Sequence, residues 1–301
     1  MTLTVCGCVI ATFGRHMVVR TAEGAELRAR PFGRALAVVC GDEVRCRIDA
    51  HHEEVHVIEV LARKNALWRA NARGGAEPVV ANLTQLLVVL APLPLPDLFV
   101  VDRYLAAATA AGIPATLIVN KSELGIDPAL AAELAAYAAA GFAAIHCSAA
   151  TGAGMPQLLA ALGPATRAAL VGQSGVGKSS LVRYLLPQAR VSVGELVREE
   201  EGRHTTTAAR LFDLPHGAAL IDSPGVRDFA PAVSALDERT LGYPEVARRA
   251  AGCRFADCRH LREPGCAVRA AAEDGTLHAR RYESYRRLRR LREQLSVTRG
   301  R

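Results

Sequence analysis

Gly172-Gln173-Ser174-Gly175-Val176-Gly177-Lys178-Ser179-Ser180 decides how this 301-residue chain is read. The stretch follows the apolar run Ala168-Ala169-Leu170-Val171 and precedes Leu181-Val182-Arg183-Tyr184-Leu185-Leu186. A short strand, a glycine-rich turn and an amphipathic helix are therefore expected in that order, which is both the spelling and the setting of a P-loop. Glycines let successive backbone N–H groups curl around one anion, and the helix adds its positive N-terminal end. Lys178 is then placed for the β- and γ-phosphates of a nucleotide and Ser179 for Mg²⁺.

Working towards the N-terminus, Leu86-Leu87-Val88-Val89-Leu90-Ala91 is a continuous apolar run, as a strand buried on both faces of a parallel sheet requires. A helix is expected from Leu98 to Ala111, a strand at Thr116-Leu117-Ile118-Val119, a helix from Pro128 to Ala140 and a strand ending at Cys147. Strands alternating with helices predict a doubly wound α/β domain, whose ligands gather at the carboxyl ends of strands. Asn120-Lys121-Ser122-Glu123 and Ser148-Ala149 both stand at such ends.

An Asn-Lys-x-acid segment reads guanine by geometry. Its carboxylate, here Glu123, accepts from the two donors on the guanine edge, whereas adenine offers an acceptor there and leaves the carboxylate unpaired, at a cost of about 1–3 kcal/mol or more. Asn120 would serve N7 and O6, the Lys121 stem would cover the base, and the Ala149 N–H would reach O6. On the other side of the P-loop come Gly202-Arg203-His204-Thr205-Thr206-Thr207 and Leu220-Ile221-Asp222-Ser223-Pro224-Gly225. Asp222 closes an apolar strand and is the candidate carboxylate that meets magnesium from outside the ion's direct ligands. The Gly225 N–H is placed for the γ-phosphate, and either Thr205 or Thr206 completes the magnesium shell. Usual GTPases run phosphate loop, switch threonine, Asp-x-x-Gly, Asn-Lys-x-Asp, Ser-Ala. Here the last two come first, so a circular permutation is expected. Val226 stands where many GTPases carry a water-orienting Gln. His204, beside the threonines, is the polar substitute, with a solvated loop histidine as the bland alternative.

The flanks differ in kind. From Leu3 to Leu61 short β-like runs at Thr4–Ile10, His16–Val19, Glu26–Arg30, Leu36–Val39 and Val55–Val60 predict a five-stranded barrel of the OB type. Arg15, Arg20, Arg28, Arg30, Arg34, Arg45 and Arg47 supply positive charge for an oligonucleotide, or are merely solvated. Cys6, Cys8, Cys40 and Cys46 read as small buried hydrophobes rather than metal ligands. Asn65 to Ala81, with Gly74-Gly75 and Pro78, reads as a linker. Near the C-terminus, Cys253-x4-Cys258-x-His260-x5-Cys266 is the ligand set of a closed tetrahedral zinc site. Arg280 to Arg301 holds nine arginines against two glutamates, interleaved with Tyr282, Tyr285, Leu288, Leu291 and Leu295. RNA phosphate binding is favoured for this helix over packing on the zinc unit.

The whole-chain numbers limit the function classes. A net charge of +7 admits a polyanionic partner. No apolar run reaches the ~20 residues of a membrane span and no signal-type segment opens the chain, so a cytoplasmic protein is expected. Eight cysteines there are metal ligands or buried thiols before they are disulfides.

With these residues assembled, the chain resembles the ribosome small-subunit-dependent GTPase family. The resemblance rests on Asn120-Lys121-x-Glu123 preceding Gly172 to Ser180, on Arg203-His204-Thr205-Thr206, on Asp222-Ser223-Pro224-Gly225, and on the Cys253/Cys258/His260/Cys266 spacing. It implies an N-terminal OB barrel at 1–68, a circularly permuted GTPase domain at 69–230 and a mostly helical zinc domain at 231–301. It implies GTP hydrolysis to GDP stimulated by the small ribosomal subunit, a role in late maturation of that subunit, rRNA contact through both flanks, and a catalytic histidine at His204. One structural Zn²⁺ and a Mg²⁺ with GTP are expected, in a monomer without membrane contact. Glu123 departs from the commonest aspartate by one methylene and keeps the carboxylate. Two other classes stand beside this reading: a P-loop ATPase, and an RNA-binding assembly factor that uses GTP only as a conformational switch.

Overall fold

The computed structural model describes residues 2–33, 36–49, 54–71, 75–186, 209–222, 227 and 230–299. Five strands come first: β1 (Thr2–Phe13), β2 (His16–Thr21), β3 (Glu26–Pro31), β4 (Glu43–Asp49) and β5 (Glu54–Val60). They run β1-β2-β3-β5-β4, and β4 pairs back onto β1, which closes the barrel. Alternation puts Val9, Met17, Val19, Ala29, Val44, Cys46 and Val57 inside. The strand expected at Leu36–Val39 is instead a loop, and the fourth strand is β4. Asp42 accounts for the difference. Its buried carboxylate accepts from the Val39 N–H at 2.8 Å and is gripped by Arg63, Nε to Oδ1 at 2.7 Å, which curls the segment away from any ladder. Gly41 (φ +91°) completes the curl, since a Cβ there would lie 2.2 Å from the Ala81 carbonyl oxygen.

The expected linker is also structured. β6 (Ala66–Ala70) and β7 (Ala76–Ala81) form an antiparallel hairpin with Leu67 opposite Val80, both buried. Asn71 and Gly75 exchange hydrogen bonds at the end where β6 passes to β7, N–H to O at 3.0 Å and the Gly75 N–H to the Asn71 side chain at 2.8 Å. The described residues of this stretch are paired strands, not a tether.

The second sheet unit contains β8 (Gln85–Leu90), β9 (Ala115–Val119), β10 (Ala143–His146), β11 (Arg167–Gly172), β12 (Ala209–Asp213) and β13 (Ala219–Asp222). Their order is β10-β9-β8-β11-β13-β12, parallel except for β12. Helices α1 (Leu98–Ala110), α2 (Pro128–Ala140), α3 (Met155–Ala161) and α4 (Lys178–Leu185) cover its two faces. Along β8, Leu86, Val88 and Leu90 join the core under α1, whereas Leu87 and Val89 join the core under α4 with Leu181 and Leu185. Burial on both faces explains why this run carries no polar alternation. Asp97 caps α1, accepting from the Phe99 N–H at 3.0 Å, and Asp127 caps α2 ahead of Pro128.

Two joints lock the flanks to this sheet. β12 pairs with β1, Ala11 opposite Arg210 and Thr12 opposite Ala209, so the barrel and the parallel sheet share one hydrogen-bonded surface. At the other joint, α7 (Ala279–Arg299), which follows α5 (Pro244–Ala250) and α6 (Ala267–Glu273), meets α1. Asp102 of α1 is fully buried and accepts from Arg281 at 2.6 Å, Arg280 at 2.5 Å, the Tyr137 hydroxyl at 2.7 Å and the Ser284 hydroxyl. Arg281 also reaches Glu245 at 2.7 Å, and Arg280 reaches Glu133 at 2.5 Å. Farther along α7, Arg289 donates to the Glu238 carbonyl and Arg292 to the Leu236 carbonyl at 2.7 Å. The basic helix is thus largely a packing element: each of these four guanidiniums has a protein acceptor, and the RNA-phosphate reading is corrected for them. Among the described residues no helix is long and apolar enough to cross a membrane.

Asp102→Ala leaves the buried Arg281 and the partly buried Arg280 without their shared anion, a change of the kind that costs about 3–5 kcal/mol. Urea unfolding of the full chain should show a loss of that size; a loss below ~1 kcal/mol would put the pair in the class of surface ion pairs.

Candidate functional site

β11 delivers the glycine turn and α4 begins at Lys178, as the pattern required. Gly172 lies so close to β8 that a Cβ would meet the Val89 carbonyl oxygen at 2.2 Å. Gly177 is left-handed (φ +93°), and a Cβ there would stand 2.2 Å from the Asn120 amide nitrogen. Lys178 is buried and its ammonium donates to the carbonyls of Gly172 at 2.6 Å and Gln173 at 2.8 Å, so it lies folded over the turn it follows. The Gln173 side chain accepts from the Asp97 N–H at 2.9 Å, which ties the turn to the start of α1.

Asn120, at the end of β9, is 1% exposed. Its amide donates to the Val176 carbonyl at 2.9 Å and accepts from the Ala149 N–H at 3.1 Å. One side chain therefore joins the glycine turn, the Asn-Lys-Ser-Glu segment and the Ser-Ala segment, and it keeps one N–H and one lone pair for a further partner. Lys121 sits at φ +60°, an uncommon backbone state for a lysine, with its ammonium on the Leu93 carbonyl at 2.9 Å. Ser122 and Glu123 lie in a single 3-10 turn (Ser122–Leu124), and Glu123 is exposed. Ser148 is buried and accepts from the Thr151 N–H at 3.0 Å, so its hydroxyl shapes the loop that presents Ala149. Ser174, Gly175 and Ser180 complete the turn and the first helical residues, the Ser180 N–H bonding to the Gly177 carbonyl at 3.0 Å.

Asp222 ends β13 and Ser179 opens the second position of α4. A single guanidinium, that of Arg227, bridges them: Nε to Asp222 Oδ1 at 2.6 Å, the second nitrogen to Oδ2, and NH1 to Ser179 Oγ at 2.9 Å. The oxygens expected to hold Mg²⁺ are thus gathered around one cation, and a carboxylate with a hydroxyl is the hard donor set that magnesium takes. His204, Thr205, Thr206 and Gly225 fall outside the described residues.

The four C-terminal ligand candidates come together. The thiols of Cys253, Cys258 and Cys266 and a ring nitrogen of His260 lie within 4.8 Å of one another, the one such grouping of Cys, His or acidic side chains among the described residues. Nδ1 is the nitrogen that faces the thiols, 3.4 Å from Cys253 Sγ and 3.5 Å from Cys266 Sγ. Burial pushes the Cys258 thiol up to about 12 and lowers the His260 pKa, which keeps the imidazole neutral. Neutral imidazole suits a metal, and thiolates at such depth require a cation beside them, so the set fits Zn²⁺. Cys6, Cys8, Cys40 and Cys46 form no such group.

Other residues hold this loop in shape. Burial raises the Glu263 carboxyl, but backbone donations outweigh it and bring it down to about 2; the N–H groups of Arg259, Leu261 and Arg262 each lie 2.9 Å from its oxygens. The Tyr282 hydroxyl donates to the His260 carbonyl at 2.8 Å and the Tyr285 hydroxyl to the Arg259 carbonyl at 3.0 Å. The apolar stripe of α7 is therefore the wall of the metal loop. Sequence reading missed Asp102, whose signal is a lone acid in the apolar helix Leu98–Ala110, and Arg227, whose signal is a cation following Asp222-Ser223-Pro224-Gly225.

Comparison with known proteins agrees with this geometry. A family model described as RsgA GTPase matches residues 60–231, more than half of the chain. A small ribosomal subunit biogenesis GTPase RsgA of Pseudomonas fluorescens is 44% identical over 291 residues, covering 93% of this chain and 83% of the relative. The protein of the same name from Pseudomonas aeruginosa is 42% identical, covering 94% and 84%. Among solved structures, YjeQ from Thermotoga maritima superposes with a TM-score of 0.71 at 24% identity, covering 99% of this chain and 100% of that one. YloQ, described as a circularly permuted GTPase, gives 0.71 at 21% identity over 97% and 96%. At those identities the two structures speak for the fold.

Metal analysis of the full chain should find one zinc per molecule. Stripping it with a strong chelator should raise hydrogen exchange across 253–295 while fluorescent GDP still binds. Because thiols must lose protons to bind metal, zinc should be released more readily as pH falls. Equal exchange with and without zinc would remove its structural role.

Proposed function

The chain belongs to the RsgA GTPase family, a family of GTP hydrolases, and on that premise we propose that it hydrolyses GTP during biogenesis of the small ribosomal subunit, with that subunit as the partner that accelerates turnover. The observation that carries the site reading is the Asn120 amide bridging Val176 and the Ala149 N–H, because it makes one pocket of a phosphate turn and a guanine-type segment. In this reading the backbone of Gly172 to Ser180 and the ammonium of Lys178 hold the phosphates. Asn120, Lys121, Ser122, Glu123, Ser148 and Ala149 surround the base, with the Glu123 carboxylate selecting guanine over adenine.

Ser179, Asp222 and one of Thr205 or Thr206 would hold Mg²⁺, which when bound neutralises oxygens of the β- and γ-phosphates. His204 orients the attacking water, and the Gly225 N–H meets the γ-phosphate. Supporting a water-orienting role for His204 is Val226, whose side chain carries no hydrogen-bonding group. Cys253, Cys258, His260 and Cys266 hold one structural Zn²⁺. The working division of the chain is 1–68 for RNA contact, 69–230 for GTP and 231–301 for the zinc unit, acting as a cytoplasmic monomer. For rRNA contact through the barrel the available cations include Arg15 and Arg28, which form no ion pair with a described acid, whereas Arg20, Arg30 and Arg45 are paired with Asp213, Glu54 and Glu59.

Phosphate release measured with small subunits, large subunits and naked RNA tests the proposal. Only small subunits should raise turnover, by at least tenfold, and His204→Ala should lose most of that gain while GDP affinity stays within twofold. Unlabelled ATP should fail to displace labelled GTP. Negligible turnover under every condition would turn the reading into that of a nucleotide-switched assembly factor, and efficient displacement by ATP would turn it into that of an ATPase.

A further inference from the structure

One charged contact at the phosphate end of the site is unaccounted for by these roles. Asp222 and Ser179 are held by the same guanidinium, with both carboxylate oxygens and the hydroxyl oxygen as acceptors. The pair is partly buried, with side-chain exposures of 22% for Arg227 and 20% for Asp222. An arginine stays charged at every accessible pH, and its planar fork suits a carboxylate better than a lysine's point charge. Apart from Asp222, no described acid forms an ion pair with Arg227.

We propose that Arg227 is a resident cation that competes with magnesium for Asp222 and Ser179, so that metal and nucleotide bind only by displacing it. The inference rests on the magnesium reading given above. The same oxygens cannot serve both partners: Ser179 Oγ would have to reach magnesium at about 2.0–2.1 Å, and Asp222 would have to accept from a water on the ion, along lone pairs that the guanidinium already holds. Before metal arrives, the guanidinium offsets the repulsion and desolvation that a lone Asp222 carboxylate would suffer, and it holds Ser179 Oγ on the side where the metal ligand is needed. Arg227 is therefore a positioning residue that sets a threshold for metal: the site stays assembled at low magnesium, at the expense of affinity for the ion. In a protein meant to turn over only beside its partner, such a threshold disfavours adventitious loading.

Mn²⁺, followed by its electron paramagnetic resonance signal, reports on metal binding without any turnover. The full chain carrying GDP should be titrated as wild type, Arg227→Gln, Arg227→Lys and Asp222→Asn, each first checked for wild-type circular dichroism. Arg227→Gln should bind Mn²⁺ about tenfold tighter or more, the shift expected when a charge-assisted contact no longer has to be broken. Arg227→Lys should fall between that variant and wild type. Added methylguanidinium at millimolar, non-denaturing concentration should weaken Mn²⁺ binding to Arg227→Gln and leave the wild type unchanged. Asp222→Asn should bind weakly whatever stands at 227. If Asp222→Asn weakens Mn²⁺ binding but Arg227→Gln does not tighten it, the competition is overturned and the magnesium reading stands. If Asp222→Asn changes nothing, the magnesium reading falls and the proposal falls with it.

Discussion

The buried carboxylate of Asp102 is the centre of the joint between the C-terminal unit and the helices of the nucleotide-binding domain. Taking it out of water carries a large penalty, and burial by itself works to lower the pKa of the arginines around it; the attraction of Asp102 helps to outweigh that, and the pKa of both Arg280 and Arg281 is raised. The neutral partners matter as much as the charged ones, because the Tyr137 and Ser284 hydroxyls fill acceptor positions that two arginines leave open. Such a network adds less to net stability than a greasy contact of equal area would, but it admits one geometry. It therefore sets where α7 lies on α1. The start of α1 is set by the glycine turn, through Gln173 and the Asp97 N–H. One 13-residue helix, about 20 Å long, thus has the phosphate turn at one end and, after a turn and a half, the C-terminal unit.

The other flank is joined by backbone rather than charge. β12 lies between β13 and β1, so the strand that begins at Ala209 is hydrogen-bonded to Asp222's strand on one edge and to the barrel on the other. Arg20 reinforces the seam by reaching Asp213 at 2.9 Å. Edge strands invite promiscuous pairing; here the edge of the parallel sheet is covered by the barrel, and the barrel gains a fixed orientation. A permuted chain needs such seams, since the peptide link between the base-reading strands and the phosphate strands no longer runs in the usual order.

What could be read from the sequence divides along the same line. The phosphate turn, the Asn120 segment and the Cys253-to-Cys266 ligands are legible because each makes its demand within a few residues, as glycine conformations or ligand spacing. Leu36–Val39 looked like a strand because its apolar letters outweigh the distant partner, Arg63, that lets Asp42 bend it. Asn65 to Ala81 looked like a tether because its glycines announce a turn without saying that Leu67 will find Val80. The arginines of α7 looked like a phosphate-binding surface because net charge is local information and neutralisation is not: the acids that absorb Arg280 and Arg281 lie on three other helices. Arg227 was passed over for a related reason, since a cation next to a metal-type acid acquires meaning only when Ser179 is brought beside both.

The anchors on either side of Arg227 limit what its movement can do. On one side Asp222 is held in β13. On the other, the chain is fastened to the hairpin: the Ala70 N–H meets the Ala230 carbonyl at 3.2 Å, the Ala232 N–H meets the Trp68 carbonyl at 2.8 Å, and Arg69 bridges Pro231. Exchange of the guanidinium for a metal is therefore confined between two hydrogen-bonded ends and cannot be passed along the backbone as a simple pull on the C-terminal unit. The routes left are lateral, through β12 into the barrel and through Gln173 and α1 into α7. Both are rigid elements with fixed contacts at each end, so a nucleotide-dependent change would be felt by the flanking units as a change in their relative orientation rather than as local loosening. Were both flanking units to contact one large partner, as proposed, their mutual angle, and not either surface alone, would decide whether both engage.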